Sequence, residues 1–369
     1  MSYGQVGNCA PEFGYCEALV RGIGDIAGVN NPSFNATPVG TLQMAFDPAN
    51  LANAQFILQE ENAVRKIRVK RLQRSTADDA LEDNTCEITT TKRYNEQCIT
   101  VNMISSIAFE TSKNEMQAYC AAASRVVTGG ADDRSLRVFN DTLDKLLSNM
   151  NGIRESVNKQ IISKIAASVG VNVTPGDNLP KNLTMIDSIT GAKIEKGIQE
   201  LQFDMANNQV YGIPFVVGFG NFDKFNTSAN WGCCNQFGMN WGMMASNAPY
   251  RYYTDVMMAN LLGDPNRFFV FAPGAVQFVQ YNDTVLGALT LDSRHGDTIY
   301  GTIPDPLVPG LKYDLAIQEK NCVGGRREPS WIASLYVNFD VAIQPIDIYS
   351  PSDRLYGSNG IYWFNSLAV

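Results

Sequence analysis

The chain has 369 residues, 18 % of them charged, with a net charge of -8 and one histidine. This length buries a full core and divides into two or three domains, and the acidic balance excludes a nucleic-acid binder that works through a strong overall basic field. No C-x-x-C pair occurs among Cys9, Cys16, Cys86, Cys98, Cys120, Cys233, Cys234 and Cys322, so free thiols are expected and a zinc site is not.

No apolar run approaches the roughly 18 residues that a membrane span needs, and the start MSYGQVGNCAPEFGY lacks the basic and apolar regions of a signal peptide. Residues 1–45 are rich in Gly, Asn, Pro and Ala, and NNPSFNATP at 30–38 defeats regular structure, so this stretch is expected to be an arm that orders only against another surface. Pro48 to Glu61 reads as a short helix.

The period then changes to two. Ile67 and Val69 alternate with Lys66, Arg68 and Lys70, and further on Ile99, Val101 and Met103 alternate with Thr100 and Asn102. Two strands thus frame a polar tip from Ser75 to Thr85. The first strand carries Arg65, Lys66, Arg68, Lys70, Arg71 and Arg74, and the tip carries Asp78, Asp79, Glu82 and Asp83. A two-stranded ribbon so poor in apolar residues does not hold itself together in water and needs a partner surface. A solvated hairpin kept from aggregating by its charges is the plainer alternative. The basic strand lacks the aromatic side chains that stack on single-stranded nucleic acid. A basic strand and an acidic tip on one ribbon suit pairing between neighbouring copies of the chain.

Ile104 to Glu110 reads as a strand and Lys113 to Val127 as a helix, ended by Gly129-Gly130. From Asp132 to Gly170 the apolar residues Phe139, Leu143, Leu146, Leu147, Met150, Ile153, Val157, Ile161, Ile162 and Ile165 fall three or four apart, the period of one buried helix face. Asp132 and Asp133 suit the positive end of such a helix, Gly170 suits its stop, and its length is about 55 Å. Gly152 weakens it by about 1 kcal/mol relative to alanine and permits a bend.

Val171 to Asn182 reads as loop, and Ala192 to Asn207 as a second amphipathic helix with Ile194, Ile198, Leu201 and Met205 on one side. YGIPFVVGFGNF contains a buried strand with Val216 and Val217. Trp231 to Tyr253 is dense in aromatics, which more often form contact surface or core than a sugar or base platform. Arg267 to Tyr281 reads as strand, Pro273-Gly274 turn and strand. Leu311, Tyr313, Leu315 and Ile317 point one way, with Lys312, Asp314 and Gln318 the other. Trp331, Ala333, Leu335, Val337, Phe339, Val341 and Ile343 again alternate, as in half-buried antiparallel strands.

Reactive arrangements are missing. His295 has no histidine partner and no nucleophile motif around it, H-E-x-x-H and the calcium loop do not occur, and Gly218-Phe219-Gly220 lacks the third glycine of a dinucleotide fingerprint. Asp132-Asp133 is explained by helix-end charge. No catalytic, cofactor-binding or metal-binding residue is assigned. The expected product of this chain is shape, not chemistry.

In its order of arm, charged ribbon, strand and helix, long helix, mixed domain around G-I-P-F-V-V and closing strand, the chain resembles the tailed-bacteriophage major capsid proteins of the Hong Kong ninety-seven type. RFFVFAPGAVQFVQYND is similar to their axial-domain segment of strand, Pro-Gly turn and strand, and WIASLYVNFDVAIQPIDIY to their closing strand. The resemblance implies an α+β fold with an N-terminal arm (1–45), a short helix (46–61) leading to an extended loop hairpin (62–103), a peripheral domain (104–172) with a spine helix (132–170), an axial domain (173–320) and a closing strand with C-terminal tail (321–369). It implies a non-enzymatic subunit, without cofactor or membrane, that assembles in the host cytoplasm as hexamers and pentamers of an icosahedral shell around double-stranded DNA. A separate scaffold is implied, because no scaffolding segment is fused ahead of the arm, together with portal and decoration proteins. The ten charged ribbon residues are the expected inter-subunit contacts. A nanocompartment shell of the same fold and a carbohydrate-binding or hydrolytic surface protein using residues 231–253 are the alternatives.

Overall fold

The computed structural model describes Leu19 and residues 37–51, 54–61, 64–72, 94–127, 129–130, 132–169, 181–192, 194–207, 212–231, 250–282, 293–295, 298–320, 330–344 and 359–369. In chain order these form α1 (Gly40–Ala45), α2 (Pro48–Leu51), β1 (Ala54–Glu61), β2 (Val64–Leu72), β3 (Tyr94–Thr100), β4 (Met103–Ser112), α3 (Lys113–Val127), α4 (Asp133–Ser168), β5 (Lys181–Ile186), α5 (Glu195–Asn207), β6 (Phe215–Gly218) and α6 (Asn221–Trp231). They continue with β7 (Arg251–Thr254), α7 (Met257–Leu262), β8 (Arg267–Phe271), β9 (Val276–Tyr281), β10 (Ser293–His295), β11 (Thr298–Pro304), β12 (Lys312–Lys320), β13 (Ser330–Ile343) and β14 (Ile361–Ala368). The fold is α+β, with three sheets ordered β1-β2-β3, β10-β11-β12-β13-β4 with β9 also on β13, and β5-β14-β8-β6-β7.

Two compact units interleave along the chain: Met1–Thr37, Val101–Val157 and Gln280–Phe339 form one, and Pro38–Thr100, Asn158–Val279 and Asp340–Val369 the other.

In the first unit β4 lies antiparallel to β13, from Thr111 opposite Trp331 to Met103 opposite Phe339. Tyr313, Leu315, Ile317, Leu335 and Val337 are buried on the expected face, as are Phe139, Leu143, Leu146, Leu147, Met150, Ile153 and Val157 of α4. Asp132 starts α4 by accepting the Ser135 amide at 2.9 Å. A reciprocal cap starts α3: the Glu115 amide donates to Ser112 Oγ at 3.1 Å and the Ser112 amide to Glu115 Oε2 at 2.9 Å. Gly152 does not interrupt the helix. A Cβ there would meet Ile107 Cδ1 of β4 at 3.0 Å, so the glycine serves close approach to the sheet. Asp314, expected on the solvent side of β12, is fully buried, with Asn282 Nδ2 and Thr302 Oγ1 at 3.3 and 3.4 Å from its Oδ1.

In the second unit β14 pairs parallel with β5 and antiparallel with β8. Leu183, Met185, Leu201, Met205, Val216, Phe222, Phe268, Val270 and Phe364 make one core there. The expected Pro273-Gly274 turn is present, with Gly274 at φ +85°. Its flanking strands do not pair as a hairpin, however, since β8 joins β14 and β6 while β9 joins β13.

Several expected boundaries move. The helix read from Pro48 to Glu61 ends at Leu51, and Ala54–Glu61 is a strand paired with β2 from Ala54 opposite Arg71 to Glu61 opposite Val64. Ala, Gln, Leu and Glu favour helix one by one, but the ladder to β2 outweighs that weak preference. β3 stops at Thr100, and Met103 opens β4 instead of continuing the ribbon. Lys181 and Asn182, read as loop, begin β5, and His295, also read as loop, closes β10. The end of the expected arm, Gly40–Ala45, is a helix with Leu42 and Met44 fully buried in its own chain.

Candidate functional site

The ribbon is a three-stranded antiparallel sheet, with Lys70 opposite Glu96, Arg68 opposite Cys98 and Ile67 opposite Ile99. Alternation along β2 sorts its side chains. Ile67 and Val69, with Ile99 of β3, are buried on one face, whereas Lys66, Arg68 and Lys70 are half-exposed on the other. The apolar face gives the ribbon an internal anchor that its composition did not promise.

On the outward face Glu96 sits between two cations, 3.3 Å from Arg68 Nη1 and 3.4 Å from Lys70 Nζ. All three side chains are about a third exposed, so each pair contributes at most about 1 kcal/mol. Among the described residues this face carries three cations, Lys66, Arg68 and Lys70, and one carboxylate, Glu96. Cys98, exposed, lies on the same face of β3.

Arg71 behaves differently from the other expected contact residues. Its side chain is only 3 % exposed. Nη1 donates to Gln97 Oε1 at 3.0 Å, Nη2 donates to Gln277 Oε1 at 3.0 Å and to the Ala342 carbonyl at 3.3 Å, and Nε has no partner among the described residues. Burial pulls its pKa down to about 10. The guanidinium is bonded within its own chain. Arg65 lies on β2, but its side chain falls outside the described residues, as do Arg74, Asp78, Asp79, Glu82 and Asp83.

The chain just ahead of the ribbon is fixed by two carboxylates. Asp255, fully buried, accepts from the Thr41 amide at 2.9 Å, Thr41 Oγ1 at 2.6 Å, Asn158 Nδ2 at 2.9 Å and the Met257 amide at 3.0 Å, while Asn158 Oδ1 accepts the Leu42 amide at 3.0 Å. Asp47 accepts both bonds of Arg251 at 2.8 Å and the Tyr253 hydroxyl.

Of the aromatic stretch, Tyr250 and Tyr252 pack on the second unit's core and the Tyr253 hydroxyl is bonded to Asp47. Burial pushes the Tyr250 hydroxyl up to about 12. These tyrosines do not form an open sugar platform, and Trp241 lies outside the described residues. Among the described residues no group of three or more His, Cys, Asp or Glu side chains is placed to hold a metal ion, and no helix is long and apolar enough to cross a membrane.

No family model matches the sequence, and no curated protein does. The chain is similar to solved phage capsid and head structures. One is a chain of the cyanophage A-1(L) capsid asymmetric unit, at 11 % identity and TM-score 0.45 over 91 % of this chain and 95 % of that one. Another is the head structure of Helicobacter pylori bacteriophage KHP40, at 9 % identity and TM-score 0.40 over 100 % and 98 %. A third is the asymmetric unit of the bacteriophage PhiM1 mature capsid, at 10 % identity and TM-score 0.37 over 87 % of each chain.

Sequence reasoning found the basic strand but missed β1 and the role of Glu96. The signal for Arg71 was present in its parity, since positions 67, 69 and 71 share one face of a strand.

Proposed function

We propose that the chain is a structural, non-enzymatic protein, the major capsid subunit of a tailed phage. The observation that carries this is the succession of a ribbon with a basic outward face, a strand and helix, and an uninterrupted helix of 36 residues. That is the order of parts the resemblance implies. Physically, a shell subunit needs extended elements whose weak contacts are multiplied around closed rings, and the charged outward face of β2 and β3 suits such contacts. In this reading Lys66, Arg68 and Lys70, with Arg65 and Arg74, meet acidic side chains of an adjoining copy, among them the tip residues Asp78, Asp79, Glu82 and Asp83. Arg71 holds the ribbon from inside. Hexamers and pentamers form in the host cytoplasm with a separate scaffold and a portal, and the mature shell encloses double-stranded DNA.

Electron microscopy and sedimentation of the purified chain, alone and with a candidate scaffold, test this reading. Closed particles of uniform diameter are expected, and a chain that stays monomeric under both conditions overturns it. Nucleic acid, not a cargo protein, inside particles from infected cells separates a virion from a nanocompartment.

A further inference from the structure

A buried cation without a carboxylate partner is an expensive group to keep, and well-packed apolar side chains of similar volume are often as stable or more so. Arg71 is such a group. Among the described residues its acceptors are all neutral: Gln97 on β3, Gln277 on β9 and the Ala342 carbonyl on β13. The network continues beyond it. Gln277, fully buried, donates to the Asn50 carbonyl at 3.4 Å. Asn50, also fully buried, donates to the Val276 carbonyl and accepts the Gly274 amide at 2.8 Å. A file of neutral amides therefore runs from the ribbon to the Pro273-Gly274 turn, and all of it belongs to the second unit. Apolar burial at the ribbon is already supplied by Ile67, Val69 and Ile99. Burial is non-directional, whereas a planar fork bonded to acceptors on three strands fixes an angle. What Arg71 adds is direction.

We propose that Arg71 is a positioning residue for assembly, setting the angle at which the ribbon leaves its own unit so that its basic face meets a second copy in one orientation. This rests on the capsid reading. The guanidinium bonds within its own chain and acts through Lys66, Arg68 and Lys70 by aiming the strand that carries them.

The test compares the wild-type chain with Arg71→Met and Arg71→Lys. In the unassembled chain, hydrogen exchange of residues 64–72 and 94–100 should become about tenfold faster in Arg71→Met, while β6, β8 and β14 keep their protection. Its thermal midpoint should stay the same or rise. On assembly Arg71→Met should give particles of mixed diameter, and Arg71→Lys should restore part of the uniform population. Unchanged ribbon exchange, or uniform shells from Arg71→Met, overturns the proposal. Should Arg71→Met not fold, Gln97→Ala, which removes one acceptor and keeps the cation, is read in the same way, with a smaller increase expected. If the wild type itself forms no shells, the capsid reading fails, and the exchange measurement still decides whether Arg71 orients the ribbon.

Discussion

Asp255 carries a carboxylate into a place without solvent and satisfies it with four donors, two of them from Thr41. Asp255→Ala leaves those donors buried and unpaired, so we expect a loss of about 3 kcal/mol or more in urea unfolding, with Asn158→Ala losing about 1–2 kcal/mol. Asp47 makes a prediction about pH. Burial alone would raise its pKa, but hydrogen bonds from Tyr253, the Ala49 amide and Arg251 outweigh that and hold it below the ordinary value. A folded pKa below the unfolded one means the contribution is complete above the unfolded value, near pH 4, and disappears as pH falls through the folded value. The stability difference between wild type and Asp47→Asn should thus be constant at neutral pH and shrink below about pH 4 in acid titrations followed by circular dichroism. Neither carboxylate was legible in the sequence. Each draws its partners from positions far along the chain, Thr41 and Asn158 for Asp255, and Arg251 and Tyr253 for Asp47, and no local spacing records such meetings.

Among the elements, α4 was the most legible. Its period of three and four and the cap at Asp132 place it at 132–170, and the helix runs from Asp133 to Ser168. Legibility follows from locality, because the bonds of a helix close within four residues. β1 and β5 are the opposite case. β5 exists because Lys181–Ile186 finds Phe364–Ala368 at the far end of the chain, and β1 because β2 offers it a ladder. In the ribbon only the alternation of β2 and β3, which sets Ile67, Val69 and Ile99 apart from their polar neighbours, was readable. Gly152 tests the reading of α4. If it were a hinge, alanine would stiffen the helix; since it admits Ile107, alanine must displace the end of a flexible side chain at 3.0 Å. Alanine gains about 1 kcal/mol in helix propensity, and a methyl that swings aside returns little of it. Gly152→Ala should therefore raise the thermal midpoint by a few degrees, whereas Gly152→Leu, which cannot fit by moving one methyl, should lower it.

For the whole molecule the question is what an acidic chain does with a basic ribbon face. At net charge -8 copies repel at long range, and attraction has to come from local patches at contact distance. Lys66, Arg68 and Lys70 form such a patch, muted by Glu96, which holds Arg68 and Lys70 at 3.3 and 3.4 Å. If the proposed assembly holds, each copy carries its own competitor for the cations that would meet a neighbour. Replacing Arg68 and Lys70 together by Glu puts two more carboxylates beside Glu96 and should abolish particle formation, with the far-ultraviolet spectrum of the unassembled chain unchanged. Glu96→Gln should do the reverse and assemble faster than wild type at the same protein concentration. Both effects should weaken as salt rises and the screening length falls to about 3 Å near 1 M. Light scattering against ionic strength measures this directly. A Glu96→Gln chain that assembles more slowly than wild type at low salt would mean that Glu96 is itself a contact to the neighbour and not a brake on one.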